Sequence, residues 1–248
     1  MESSKRVQKQ ITSVSDLIDN FSPKVLSGWD KALLLRGESK EYDFALQPSI
    51  ARDITFNKTP ILEDHPSTYI TQEEIFEIER FQNNLPEDYL FFVNNIKEND
   101  INLLFLARHY GIKTRFIDVT YDPLVALYFA CSSNFEDNGY LYFLTNTTKV
   151  EEKHIITQDY KKAFDFDIES HTSMKNHYKY INFLYRFPYA NTRVNAQKGA
   201  FLFNYDPSKC LSDGTIVYEI PFSYKKDILE HLKFLNISSE SLGLESSS

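Results

Sequence analysis

Glycine, cysteine and tryptophan are scarce in this chain. Its 248 residues include 7 Gly, 2 Cys and 1 Trp. So few glycines argue against a Gly-rich loop that holds phosphates through backbone amides. Cys131 and Cys210 lie far apart in the sequence and lack the close spacing of metal ligands, so we expect reduced, buried thiols in a cytosolic protein.

Long apolar runs and clusters of positive charge are also missing. No stretch reaches the roughly 18 apolar residues of a membrane-spanning helix. The polar start, MESSKRVQKQ, has no apolar core of a secretory signal. We therefore expect a cytoplasmic protein with no membrane partner. A formal net charge of -8 without a Lys/Arg cluster predicts no strong non-specific binding of nucleic acids.

Motifs of metal and nucleophile chemistry are absent from the sequence as well. The 6 histidines are scattered, and no HExxH or paired CxxC occurs, so we expect no metal site. There is no G-x-S-x-G motif for a serine nucleophile, and Cys131 lies at the end of an apolar helical segment. Nothing marks a pair of carboxylates for glycoside hydrolysis, although the sequence does not exclude one.

Helix signals dominate the first half of the chain and strand signals the second. SVSDLIDNF, TQEEIFEIERF and PEDYLFFVNNI are predicted helices, and the second has Thr71 as N-cap with Glu74 completing a capping box. KALLLRG predicts a buried strand that ends on a turn at Gly37. GYLYFLT, GAFLFNY and TIVYEIPF are further predicted strands, and SYKKDILEHLKFL is a predicted amphipathic helix. The pattern predicts an α+β fold with a central mixed or antiparallel sheet and a helical N-terminal half.

One stretch, LARHYGIKTRFIDVTYDPLVALYFAC, places charged residues inside a mostly apolar run. Asp100 and Gly111 suit the two ends of a helix, which places His109 in its last turn. Asp122 and Pro123 suit the start of the next helix. TRFIDVT, between the two helices, is therefore a predicted strand.

No internal repeat or linker divides the chain, so we predict a single domain over residues 1–248, with an ordered core at about 30–238. The polar segment from Thr148 to Asn195 is a predicted loop and helix insertion. The low-complexity residues 239–248 are expected to form a disordered tail.

The polar residues around two predicted strands suggest recognition of an anion. Arg36 ends the first strand, and Gly37 would let a ligand approach the backbone. Thr114, Arg115, Asp118 and Thr120 surround the second strand. The structural alternative is a buried ion pair of Asp118 with Arg36 or Arg115, because a buried charge needs a partner in any case.

The same residues carry a resemblance to a known family. LLLRGES followed by LQPSIAR, then RHYGIKTRFIDVTYDPLVALYFA, then TRVNAQKGAFLF, resembles the motifs of the FRG domain family, in order and over most of the chain. Ten residues match those motifs: Arg36, His109, Tyr110, Gly111, Thr114, Arg115, Asp118, Thr120, Gln197 and Gly199. Four residues depart from them: Leu35, Arg108, Lys113 and Val119.

The order of elements is also similar to the ADP-ribosyltransferase superfamily. This likeness implies NAD as a substrate, with Arg36 at its ribose or diphosphate. A late Glu of that superfamily, which stabilises the oxocarbenium-like transition state, has no acid at its place here, since Gln197 stands there. Glu219 would replace it if the fold brings it close. The implied catalytic residues are Arg36, His109, Gln197 and Glu219. The implied cofactor-binding residues are Arg36, Gly37, Tyr110, Thr114, Arg115, Asp118 and Thr120.

Two functional hypotheses follow from the resemblance. The first is a bacterial ADP-ribosyltransferase-like effector that uses NAD in a toxin or phage-defence context. Its partners would be a protein or nucleic-acid target, or a neutralising antitoxin. The second is a module that binds a nucleotide or a protein and performs no chemistry. The missing catalytic acid favours this second hypothesis.

Overall fold

A seven-stranded mixed sheet forms the centre of the computed structural model, which describes residues 7–21, 34–42, 46–52, 66–84, 101–144, 183–185, 192–203 and 215–244. The strands are β1 (Val7–Gln10), β2 (Leu34–Glu38), β3 (Phe116–Thr120), β4 (Gly139–Leu144), β5 (Phe183–Tyr185), β6 (Gly199–Phe203) and β7 (Thr215–Ile220). Their order across the sheet is β1-β7-β4-β2-β3-β6-β5. β1 runs parallel to β7, and the other neighbouring pairs are antiparallel.

Seven helices accompany the sheet in the described ranges. They are α1 (Val14–Asn20), α2 (Ser49–Arg52), α3 (Pro66–Asn83), α4 (Ile101–His109), α5 (Pro123–Cys131), α6 (Thr192–Ala196) and α7 (Lys225–Phe234). A 3-10 turn at Phe222–Tyr224 precedes α7. The mixed sheet with its helices confirms the predicted α+β class.

Local sequence signals set several helix ends, and those at Gly111 and Asp122 are as predicted. The Ser13 hydroxyl accepts a hydrogen bond from the Asp16 amide at the start of α1, and the Asp122 carboxylate accepts from the Leu124 amide at the start of α5. After α4, Gly111 has a φ of 83°, and the Ile112 amide donates back to the Ala107 carbonyl. These bonds form a Schellman motif, which ends α4 at the predicted glycine.

Two predicted element ends are wrong. Helix α3 begins at Pro66 rather than after Thr71, because Glu74 does not complete a capping box and instead turns into the core. Strand β2 does not end on a turn at Gly37, because Gly37 pairs with Leu141 of β4 and the strand continues through Glu38. The predicted helix PEDYLFFVNNI lies outside the described residues.

Helix α5 packs closely on the centre of the sheet, over β2 and β4. A Cβ atom at Gly37 would lie 1.9 Å from the Ala126 carbonyl oxygen, so the glycine is required by this helix contact. The surrounding core contains Leu35, Leu127 and Phe143. Gly37 therefore serves the approach of α5, and the predicted approach of a ligand to its backbone stays a prediction.

A second group of helices, α3 and α4, covers the part of the sheet formed by β3 and β6. Phe105 of α4 meets Phe201 of β6 edge to face, with ring centroids 4.6 Å apart, and Phe116 of β3 also contacts Phe201. These aromatic contacts hold α4 above β3. The sheet thus carries two helical groups on either side of the border between β2 and β3.

The border between β2 and β3 is a weak seam within the described strands. β2 pairs with β4 along five residues, but with β3 through the single pair of Leu35 and Thr120. Beyond that pair the strands separate, and the Arg36 Nη1 atom donates to the Asp118 carbonyl oxygen across the gap at 2.8 Å. At this seam lie Arg36, Asp118 and Thr120, three of the polar residues singled out in the sequence.

The end of the described chain packs against the core. Leu242 is buried, and its carbonyl oxygen accepts a hydrogen bond from the Gln197 side chain at 3.0 Å. Residues 239–244 of the predicted disordered tail are therefore placed on the protein, and residues 245–248 lie outside the described residues. Of the predicted insertion at 148–195, the described parts are β5 and the beginning of α6.

Candidate functional site

A cleft of about 360 Å³ opens at the seam between β2 and β3. Its polar lining consists of three arginines, one carboxylate, one amide and one hydroxyl: Arg36, Arg108, Arg193, Asp118, Gln197 and Thr120. Its apolar lining includes three aromatic rings: Phe105, Phe129 and Phe201. The structure therefore places Arg36, Asp118 and Gln197, which are far apart in the sequence, around one cavity.

The orientation of the Arg36 side chain is fixed by the buried carboxylate of Glu38. Its Nε atom donates to the Glu38 Oε1 atom at 3.0 Å, and the Arg52 Nη2 atom donates to the same oxygen at 2.8 Å. The Glu38 side chain is 1% exposed, so both contacts are shielded from water. Since Arg36 and Glu38 are two residues apart on a strand, they share one face of the sheet. The Arg36 guanidinium thus reaches the cleft in a single, preset orientation.

Asp118 lies between two guanidinium groups in the cleft. Both of its oxygens accept hydrogen bonds from Arg108, and the Arg36 Nη1 atom lies 3.7 Å from Oδ2. Partial burial acts to raise the pKa of Asp118, but Arg108 and Arg36 outweigh it and hold the pKa at about 2. The Asp118 carboxylate is therefore ionised at neutral pH, and its side chain is 49% exposed to the cleft.

Gln197 and Thr120 connect the cleft to the segment around Leu242. The Thr120 hydroxyl donates to the Gln197 carbonyl oxygen at 2.7 Å and accepts from the Asp122 amide at 3.0 Å. The Gln197 side-chain nitrogen donates to the Leu242 carbonyl. Next to it, the Cβ atom of Arg193 lies 3.5 Å from where a side chain on Gly243 would begin. One wall of the cleft therefore rests on the segment around Leu242.

Arg115 has a structural partner outside the cleft. Its Nε atom donates to the Glu74 Oε2 atom at 2.6 Å, and its backbone amide donates to Oε1 at 2.7 Å. The side chains are 1% and 0% exposed. The suggested pairing of Arg115 with Asp118 is wrong, because residues three apart along an extended strand point to opposite faces. The suggested pairing of Arg36 with Asp118 is present, but at the cleft surface.

Four other residues implied by the family resemblance are placed away from the cleft or have undescribed side chains. The Thr114 hydroxyl accepts from the Phe116 amide in a buried turn. Tyr110 is partly exposed and contacts the ring of Phe81. Glu219 lies on β7, two strands away from β2, and accepts a hydrogen bond from Gln10 of β1. His109 is the last residue of α4, and its side chain lies outside the described residues.

Three residues of the site escaped the sequence interpretation. Arg108 departs from the family motif, and the sequence does not predict it as the main partner of Asp118. Arg193 and Glu38 lie within TRVNAQKGAFLF and LLLRGES, two segments that carry the family resemblance, but neither is among the predicted site residues. Arg193 is exposed, lines the cleft and has no ion pair with the residues that the structure describes. For Glu38, the alternation of Arg36 and Glu38 along β2 is the one feature that could have indicated a pair.

Other kinds of site find no support in the described ranges. No group of three or more His, Cys, Asp or Glu residues there could hold a metal ion. Burial raises the pKa of the Cys131 thiol to about 12, so this cysteine is a poor nucleophile. Of the helices that the structure describes, none combines the length and the apolar character needed to cross a membrane.

One comparison with known protein families agrees with the motifs. Neither the curated proteins nor the solved structures include a significant match to the chain. The model of the FRG domain matches residues 31–139, a range that runs from just before β2 to the first residue of β4 and contains Arg36, Arg108 and Asp118. Residues 31–139 are therefore similar to the FRG domain, in agreement with the motifs in this part of the chain.

Proposed function

We propose that the cleft at the seam between β2 and β3 binds a phosphate-containing nucleotide, with NAD or ADP-ribose as the best candidates. The observation that carries this proposal is the convergence of Arg36, Arg108 and Arg193 on a cavity with aromatic walls. A planar guanidinium group donates two parallel hydrogen bonds to the oxygens of a phosphate. Aromatic side chains stack against a base or a nicotinamide ring. The cavity volume lies within the range of small-molecule sites, roughly 300–1,000 Å³.

The charge of the cleft supports binding of an anion. Three guanidinium groups face a single carboxylate, which leaves an excess of two positive charges in the lining. The chain as a whole carries a formal net charge of -8. This local reversal of sign attracts an anionic ligand to the cleft. The same positive excess disfavours a cationic transition state, which makes binding the function that the geometry supports best.

The binding proposal is tested by calorimetric titration and thermal shift with NAD, ADP-ribose and AMP. Arg36→Gln and Arg193→Gln should each weaken binding by about tenfold or more, because a hydrogen bond to a charged group contributes roughly 1.5–3 kcal/mol. Arg80→Gln is the matched control, since Arg80 is exposed on α3 and pairs with Glu77 outside the cleft. Absence of binding to the unmodified protein, or an equal loss in the Arg80 variant, would refute the proposal.

A second candidate function is cleavage of NAD, and the ionised carboxylate of Asp118 favours it. In this reaction the bond between the ribose C1′ atom and the nicotinamide nitrogen breaks, and nicotinamide leaves with the electron pair. Water or a target nucleophile then attacks C1′ and loses a proton. Asp118 would stabilise the oxocarbenium ion, and Gln197 would bind a ribose hydroxyl. A role as a bacterial toxin or defence protein, with a macromolecular target or an antitoxin, remains a prediction.

Nicotinamide release separates the two candidate functions. If the protein cleaves NAD, chromatography should detect free nicotinamide, and Asp118→Asn and Gln197→Ala should abolish its release while NAD still binds. Glu219→Gln should have no effect, because Glu219 lies on β7 with Gln10 as its partner. Binding of NAD without release of nicotinamide would support the binding function and refute the enzymatic one.

A further inference from the structure

We propose that the Asp118 carboxylate is an internal competitor that occupies the phosphate site until a ligand displaces it. The inference rests on the proposed binding of a nucleotide, and it assigns one phosphate of that ligand to the place of the carboxylate, between Arg108 and Arg36. It also predicts the class of ligand, a compound with a diphosphate group. Asp118 would then be a regulator of affinity and would not be a residue that recognises the ligand.

The contacts of Asp118 are those of a bound anion. Arg108 donates to both carboxylate oxygens through Nε and Nη2, which is the forked contact that guanidinium groups make to carboxylates and phosphates alike. The Arg36 Nη1 atom lies 3.7 Å from Oδ2 on another side. Half of the Asp118 side chain is exposed to the cleft, so a ligand can reach the same two guanidinium groups.

Both arginines keep other partners when the carboxylate moves away. Arg108 also donates through Nη1 to the Ser49 hydroxyl at 2.5 Å. Arg36 donates through Nε to the buried Glu38 carboxylate. The two guanidinium groups therefore stay in position without Asp118, and a phosphate group meets a prepared site.

The length of the ligand follows from the third arginine. Arg193 lies on α6, and it lines the same cavity as Arg36 without an ion pair to the described residues. One phosphate at Arg108 and Arg36 leaves Arg193 for a second phosphate. A ligand with one phosphate would leave one positive charge of the lining unused, so a diphosphate should bind more tightly than a monophosphate.

The test compares ADP-ribose, inorganic pyrophosphate and AMP by calorimetric titration of the full chain. Asp118→Asn keeps the shape of the side chain and removes the competing charge, so it should tighten binding of ADP-ribose and pyrophosphate by about tenfold, and that of AMP by less. Asp122→Asn is the matched control: it removes the same charge, keeps a helix cap, and affects a carboxylate that pairs with Lys198. Its affinity should remain that of the unmodified protein.

Each outcome of the test is decisive. Weaker or unchanged binding in Asp118→Asn, an equal gain in Asp122→Asn, or preference for AMP would overturn the competitor role. If the unmodified protein binds none of these compounds, the proposed function itself fails, which is a different result. Should the Asp118 variant not fold, the carboxyl carbon of Asp118 can be followed by NMR in the unmodified protein. Saturating pyrophosphate should raise the pKa of Asp118 by at least about one unit, and an unchanged pKa would overturn the proposal.

Discussion

Two pairs of arginine and carboxylate, Arg115 with Glu74 and Arg108 with Asp118, have the same chemistry in very different surroundings. The first pair is 1% and 0% exposed, whereas the side chains of the second are 20% and 49% exposed. The buried pair connects α3 to the start of β3 and leaves no room for a ligand. The exposed pair faces a cleft and can exchange its carboxylate for another anion. The two pairs therefore differ in their surroundings and not in their chemistry: burial makes the first pair structural, and exposure leaves the second pair accessible to a ligand.

The largest effect is expected from breaking the buried pair. Glu74→Ala should lower the free energy of unfolding by roughly 3–5 kcal/mol, because it leaves the Arg115 guanidinium charged and without its carboxylate in the core. Urea denaturation measures this change. The double variant Glu74→Leu/Arg115→Met should recover most of the loss, since it removes both buried charges. A double variant as unstable as Glu74→Ala would show that the pair contributes more than the cost of an isolated charge.

An intermediate effect is expected at Glu38, which is buried like Glu74 but supports a residue of the cleft. Glu38→Gln should lower the free energy of unfolding by about 1–3 kcal/mol, because the charged hydrogen bonds from Arg36 and Arg52 are weakened. It should also weaken binding of ADP-ribose, since Arg36 loses its fixed orientation. Denaturation and titration measure the two effects, with Glu230→Gln on the exposed face of α7 as control. If Glu38→Gln lowers the free energy of unfolding but binds ADP-ribose as tightly as the unmodified protein, Glu38 does not position Arg36 for binding.

A smaller effect is expected from the acid titration of Asp118. The folded-state pKa of about 2 lies below the ordinary value of 3.8, so Asp118 stabilises the fold above about pH 4 and loses this contribution as the pH falls to about 2. After allowance for the exposure of the side chain, the contribution is about 1 kcal/mol. Denaturation of the protein and of Asp118→Asn between pH 2 and 5 measures it. Identical pH profiles would show that Arg108 and Arg36 do not hold this carboxylate in solution.

The smallest effect is expected at the exposed pair of Arg80 and Glu77 on α3. Arg80→Gln should change the free energy of unfolding by less than about 0.5 kcal/mol, because water screens a pair three residues apart on a helix surface. Denaturation at two salt concentrations measures this baseline. A loss above about 1 kcal/mol would mean that exposure is a poor guide to the strength of ion pairs in this protein.

Features that depend on neighbouring residues could be predicted from the sequence. Ser13, Gly111 and Asp122 mark helix ends because their contacts lie within four or five residues. The five strands predicted around the centre of the sheet follow from short apolar segments. The family motifs also identified Arg36, Asp118 and Gln197, which do meet in one cleft.

Contacts between distant segments could not be predicted in this way. Glu74 matches a capping box three residues after Thr71, but its partner Arg115 lies 41 residues further along the chain. Arg193 belongs to the cleft because β6 lies beside β3, and strand order is not written in local patterns. The same holds for Glu219, which the strand order places on β7, next to β4.

The single residue pair between β2 and β3 has a mechanical consequence. The sheet consists of two plates, one formed by β1, β7, β4 and β2 and the other by β3, β6 and β5, and the backbone joins them at Leu35 and Thr120. A ligand that contacts both Arg36 and Arg108 spans this joint. Its contacts connect the two plates where the backbone provides a single residue pair. Occupancy of the cleft should therefore slow hydrogen exchange across the joint more than within either plate.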